Sequence, residues 1–95
     1  MIKAEYKEKL IEIISKHLPE ATIYLYGSRA RGDQSKGSDV DLALDIGKPI
    51  DLSIISAIKE EIEESNIPLF VDLIDTQTVS PDFLASIKKD WIKWH

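Results

Sequence analysis

The sequence predicts an α/β (α+β) domain: a small mixed β-sheet of three to four strands flanked by helices, in the order α-β-α-β-α-β-α. Three observations carry that expectation. Two segments, Thr22-Ile23-Tyr24-Leu25-Tyr26 and Asp39-Val40-Asp41-Leu42-Ala43-Leu44, have strand character and are separated by a short polar link. A full amphipathic helix then joins the second of them to a third apolar segment, Leu69 to Ile74, as in a right-handed parallel crossover. The first link is mostly loop and about as short as a parallel crossover tolerates, so strands one and two are expected antiparallel.

Element by element, residues 3–17 read as a helix, because Leu10, Ile11, Ile14 and Leu18 recur at helical spacing among lysines and glutamates, and Pro19 stops it. Thr22 to Tyr26 is the first strand, closed by Gly27. Ser28 is placed to cap a single turn from Arg29 to Arg31, and the polar, glycine-flanked run 32–37 is a loop. In the second strand Val40, Leu42 and Leu44 alternate with Asp39, Asp41 and Ala43, giving one core face and one acidic face. Asp51 caps a helix running to about Glu64, expected to bury Leu52, Ile55, Ile58 and Ile62. Ile50 and Ile55 stand at the two positions of a hydrophobic staple, and Ser65-Asn66 ends the helix. Ser80-Pro81 opens the last helix with proline at its first position. The tail Trp91 to His95 fits either a final helical turn or an edge strand.

With 95 residues the chain makes one domain, 1–95, and its core is modest. A hydrophobic content of 43% with 31% charge describes a folded globule rather than a disordered chain. Residues 1–18 mix charges among apolar positions and lack the pattern of a signal peptide, and no apolar run approaches a membrane span. No membrane association is expected, and cytoplasm is the expected compartment. The chain has no cysteine, which excludes disulfides and thiolate metal sites. Twelve basic against 17 acidic residues leave a net charge of −5, so stable nucleic-acid binding is not expected. So small a core is a candidate for stabilisation by association, with a copy of itself or with another chain.

The chemistry concentrates in residues 27–41. Asp39 and Asp41 are one residue apart in a strand, so they share a face and can reach one cation. Asp72 has the parity opposite to Val71 and Leu73 and lies early in strand three, where parallel pairing brings it to the same place. Three carboxylates together repel one another unless cations screen them. Spacing alone also allows a solvated acidic face; the Gly27-Ser28 pair, separated from Asp39 by ten residues, favours the metal site. Gly27 lets a phosphate approach the backbone and the Ser28 hydroxyl adds a donor. In so short a helix one of Arg29 and Arg31 can face the site; Arg31 is the candidate, and Arg29 is read as solvent-exposed. Lys36 is a loop cation. Asp45, His17 and His95 are read as structural or surface residues, and Trp91 with Trp94 as core cover or, if exposed, a partner surface.

Gly27-Ser28-Arg29-Ala30-Arg31-Gly32 followed by Ser38-Asp39-Val40-Asp41-Leu42 resembles the signature of the DNA polymerase beta-like nucleotidyltransferase superfamily. More narrowly it resembles the minimal nucleotidyltransferase (MNT) group, over nearly the whole chain. The resemblance implies the nucleotidyltransferase fold and, residue by residue, that Gly27 and Ser28 hold the triphosphate of a donor such as ATP. Asp39 and Asp41 would bind two magnesium ions, and Asp72 would be the third carboxylate, acting on the attacking hydroxyl as base or orienter. It implies transfer of a nucleoside monophosphate, AMP in the characterised pattern, to a tyrosine of a helical HEPN ribonuclease toxin, with this chain as antitoxin. A contact-only antitoxin and a transferase acting on a small-molecule hydroxyl are the alternatives. Where the group often has a Glu-Gly turn before a final strand, this chain has Asp90-Trp91.

Overall fold

Leu10, Ile13 and Ile14 of one helix and Ile55, Ile58 and Ile62 of another bury the same face of a four-stranded sheet. The computed structural model describes residues 2–33 and 39–95. Its elements are α1 (Ala4–His17), β1 (Thr22–Tyr26), α2 (Ser28–Arg31), β2 (Val40–Asp45), α3 (Leu52–Glu64), β3 (Val71–Asp75), α4 (Pro81–Lys88) and β4 (Ile92–Lys93). The sheet order is β3-β2-β1-β4. β1 pairs antiparallel with β2, and β2 pairs parallel with β3, as the two link lengths require.

Side-chain alternation sorts the sheet into two faces. Ile23, Leu25, Val40, Leu42, Leu44 and Leu73 turn toward α1 and α3 and form the main core. Tyr24, Tyr26, Ala43 and Ile74 turn the other way and meet Leu84 and Ile87 of α4 and Trp91 just beyond it. α1 and α3 are also tied on their outer side, where Lys16 and His17 both reach the Glu61 carboxylate. Those two hydrogen bonds hold the Glu61 carboxyl below its ordinary value.

The caps behave as chemistry dictates. The Asp51 carboxylate accepts from the Ser53 N–H at 3.0 Å, and Ile50 and Ile55 are both buried as a staple. The Ser80 hydroxyl accepts from the Phe83 N–H at 3.2 Å, with Pro81 at the first position. At α2 the expected cap is corrected: Ser28 is the first helical residue, and Gly27 takes the cap position with φ 76° and ψ −158°. A backbone turned to positive φ favours glycine there, so the chain bends at Gly27 before a side-chain cap can form.

Two further corrections concern burial and a boundary, and the tail takes one of its two expected forms. Leu52 is 78% exposed. It stands in the first turn, about 90° around the helix from the centre of the Ile55–Ile58–Ile62 stripe, where Ile50 closes the core instead. β3 starts at Val71 rather than Leu69, although the Phe70 carbonyl still accepts from the Val40 N–H at 2.8 Å. The Phe70 side chain is 82% exposed. The tail resolves as a strand: Tyr24 pairs with Lys93 and Leu25 with Ile92, and the Trp94 N–H donates to the Ile23 carbonyl at 2.7 Å. Among the described residues no helix is long and apolar enough to cross a membrane.

Asp75 ties the crossover helix to the sheet. Buried at the end of β3, it accepts from the Ile50 N–H at 2.7 Å and from the Gln77 N–H at 2.9 Å. Replacing it would orphan a buried donor, which is costly. Asp75→Ala is therefore expected to lower unfolding free energy by about 1–3 kcal/mol in urea titration. A loss indistinguishable from zero would show that the bond contributes nothing.

Candidate active site

Register places the candidate residues. Tyr26 of β1 stands opposite Asp41 of β2, and Asp41 stands opposite Asp72 of β3. The three form a row across adjacent strands on the face that carries α4. Val40 and Leu42, the neighbours of Asp41, are fully buried on the opposite face, so Asp41 is pinned to this side. Asp39 immediately precedes β2, exposed, with the same parity. Asp72 is exposed on the edge strand.

Electrostatics link these groups. Burial pushes the Asp41 carboxyl above its ordinary value, and the charges of Asp72 and Asp39 push it further; Arg31 opposes them. Tyr26, buried beside the row, has its hydroxyl pushed well above the usual phenol range by burial and by the charges of Asp41 and Asp72. The site therefore holds excess negative charge in a half-buried place, which is where a cation is stabilising.

Gly27 sets the other wall. A Cβ added there would collide with the Asp41 carboxylate, and the positive φ makes any side chain strained as well. The backbone turn and the carboxylate thus touch, which requires glycine at this position. The Gly27 carbonyl accepts from the Ala30 and Arg31 N–H groups, starting α2, and Gly32 ends it in the left-handed conformation. Ser28 is half-buried on the first turn. Arg31 is exposed, donates from Nε to Asp33 at 3.2 Å, and lies near enough to Asp41 to lower its carboxyl.

Most of the expected site assembles: Gly27, Ser28, Arg31, Asp41 and Asp72 lie around one end of the sheet, and Asp39 acts electrostatically on Asp41. Arg29 is a correction. It is 8% exposed, because the one-turn helix folds back against the sheet and carries that position inward while Arg31 points out. Lys36 lies outside the described residues. Among the described residues, no group of three or more His, Asp or Glu side chains is gathered closely enough to hold a metal ion. The donor set itself suits a hard divalent cation: carboxylate oxygens on one face, with Asp41 raised by burial and by its neighbours' charge. Asp39, Asp41 and Asp72 are the residues that would hold one.

Two features were not singled out from the sequence. Tyr26 is the register partner of Asp41, and its parity with Tyr24 on the strand was the available signal. Phe83, Ser86 and Asp90 of α4 and its C-terminal turn border the site from above the sheet. A larger cavity, about 530 Å³ between α3 and the segment entering β3, is lined by Ile62, Ile67, Leu69 and Phe70 among others, and by none of the three carboxylates.

Comparison with known proteins bears on the family and the fold. The family profile described as Polymerase beta, Nucleotidyltransferase matches residues 8–92. A Haemophilus influenzae protein named as a protein adenylyltransferase, MntA, is 36% identical over 91 residues, covering 96% of this chain and 80% of that protein. A chain of a solved toxin–antitoxin complex with AMP-PNP superposes with a TM-score of 0.80 at 22% identity, over 94% of this chain and 72% of that one. A chain of the complex of tri-AMPylated Shewanella oneidensis HEPN toxin with MNT antitoxin superposes with a TM-score of 0.77 at 18% identity, over 99% and 72%. At these identities the structural likeness is one of fold.

Two outcomes follow from the crowding. Gly27→Ala is expected to destabilise by about 1–3 kcal/mol through strain and displacement of Asp41, read by chemical denaturation. Asp41→Asn is expected to do the reverse in metal-free buffer. A carboxyl raised in the folded state contributes stability that is present below the ordinary value of 3.8 and lost as pH rises through the folded value. Removing that charge should raise the melting temperature at pH 7 and flatten its fall as pH rises above the ordinary carboxyl value. An unchanged or lower melting temperature would show that Asp41 is not under charge strain.

Proposed function

The chain belongs to the polymerase beta nucleotidyltransferase family, and from that premise we propose that it is a magnesium-dependent adenylyltransferase. The donor is ATP and the acceptor a hydroxyl, a tyrosine of a HEPN-type toxin, so that the chain works as the antitoxin of a pair. The observation that carries the reading is the Asp41–Asp72 register pair, in which Asp41 is raised by burial and by its neighbours' charge, backed by a glycine where a Cβ would meet the Asp41 carboxylate. The names of the MntA relative and of the HEPN–MNT complex supply the acceptor class.

In this reading Gly27 and Ser28 receive the triphosphate and Arg31 offsets its charge. Asp39, Asp41 and Asp72 would hold two magnesium ions. When bound, the cations supply charge neutralisation on the phosphate and the leaving group. Asp72, exposed at the sheet edge, orients the acceptor hydroxyl and takes its proton. The acceptor oxygen bonds to the α-phosphorus while the bond to pyrophosphate breaks. The remaining contribution of the protein is position: strands β1, β2 and β3 hold donor and acceptor sides in one row. In this reading the work is done in the cytoplasm.

A contact-only antitoxin drew its motive from the tryptophan-bearing tail. Trp91 stacks on Tyr24 with ring centroids 3.7 Å apart, and Trp94 rests against the main core. Both indoles serve the fold first, which leaves transfer as the better-supported activity. Incubation of the chain with magnesium, ATP and its toxin partner should add one AMP mass, or a multiple, to the partner. Asp41→Asn or chelation of the metal should reduce that transfer by about a hundredfold or more. Undiminished transfer in the variant would overturn the proposal.

A further inference from the structure

A groove of about 530 Å³ runs between the C-terminal half of α3 and the segment 67–71 that enters β3. Ile62, Ile67, Leu69 and Phe70 give it apolar walls, and Lys59 and Glu63 stand on its α3 side. Phe70 is 82% exposed, yet its backbone is fixed: its carbonyl accepts from the Val40 N–H at 2.8 Å. An aromatic ring held out in water beside an apolar groove has the form of an interface anchor.

The charge around the groove is one-sided. Glu60, Glu61, Glu63 and Glu64 fill the last turns of α3, and the last turn holds no basic residue. A helix C-terminus carries partial negative charge and favours cations, so glutamates there work against the fold. Glu61 is held by Lys16 and His17. Among the described residues, Glu60, Glu63 and Glu64 form no ion pair. On the other flank Asp72 follows Phe70 by two residues, about 7 Å along an extended chain, and Asp39 adjoins Val40, to which Phe70 is bonded.

We propose that this groove docks the acceptor protein through a lysine- or arginine-rich surface with an apolar anchor seated against Phe70, so that its hydroxyl arrives at Asp72. The proposal rests on the transfer reading above and adds where the acceptor is held. Charge selects the occupant. In a twofold contact a second copy would set this patch against itself, glutamate on glutamate, and an anionic lipid surface would be repelled. Place selects the role: the groove ends two residues short of Asp72, on the β3 edge of the sheet, where that carboxylate is exposed to a macromolecule.

The test measures binding of the toxin partner by wild type, Phe70→Ala and the double variant Glu63→Lys/Glu64→Lys, alongside ATP binding, AMP transfer and sedimentation of the chain alone. All three positions are exposed, so the variants retain the fold. Phe70→Ala should weaken toxin binding about tenfold or more and raise the toxin's KM in transfer, with kcat and ATP affinity unchanged. The charge reversal should also weaken binding, and should flatten the fall in affinity as salt rises from about 50 to 300 mM. Undiminished toxin affinity in both variants, with transfer intact, would overturn the docking site and leave the transfer reading standing. Self-association of the wild type that Phe70→Ala abolishes, with toxin affinity unchanged, would overturn it in favour of a second copy. A wild type that neither binds nor modifies the toxin would remove the transfer reading, and the docking site with it.

Discussion

The register of β2 between its two neighbours is the constraint on which the rest depends. Val40, Leu42 and Leu44 fill the interior from one face, and a slip of one residue would bury Asp41 among them. The apolar set therefore fixes where the carboxylates go. Because β1 runs against β2 and β3 runs with it, the same end of the sheet receives the Gly27 turn, Asp41 and Asp72. Packing thus decides chemistry: α1 and α3 hold one face shut so that the other can present charge.

That arrangement works against stability. Asp41 is held above its ordinary carboxyl value by burial and by Asp72 and Asp39, and the Tyr26 hydroxyl is shifted by the same charges. Elsewhere the fold is locally consistent, with helix starts at Asp51 and Ser80 properly capped and a buried Asp75 fully engaged. Strain confined to one end of a sheet marks where a fold gives up stability for function. A divalent cation held by these carboxylates would relieve it by neutralising their charge.

Much of this was legible in the sequence, for physical reasons. A two-residue period in Asp39 to Leu44 leaves no choice of face, and a helix-length link between β2 and β3 leaves little choice of direction. Both belong to local chemistry. Burial of Arg29 was not legible, because a one-turn helix has no periodicity to read and its rotation is set by the sheet it touches. Leu52 looked like a core residue by type, but its place at the first turn put it off the stripe. Asp75 stands in Asp75-Thr76-Gln77, which announces a turn, yet its bond to Ile50 joins residues 25 apart and is visible only in three dimensions. The tail was undecidable in isolation: Ile92 and Lys93 become a strand because β1 offers a free edge, and Trp91 is fixed by the ring of Tyr24.

The central claim is that the face carrying Asp39, Asp41 and Asp72 binds a divalent metal together with a nucleoside triphosphate. Paramagnetic broadening of amide signals by substoichiometric manganese, recorded with and without ATP, measures it directly. Broadening centred on Gly27, Asp41 and Asp72, strengthened by ATP, is the predicted result. Broadening centred elsewhere, for instance along the acidic C-terminal half of α3, or no localised effect, would contradict the account.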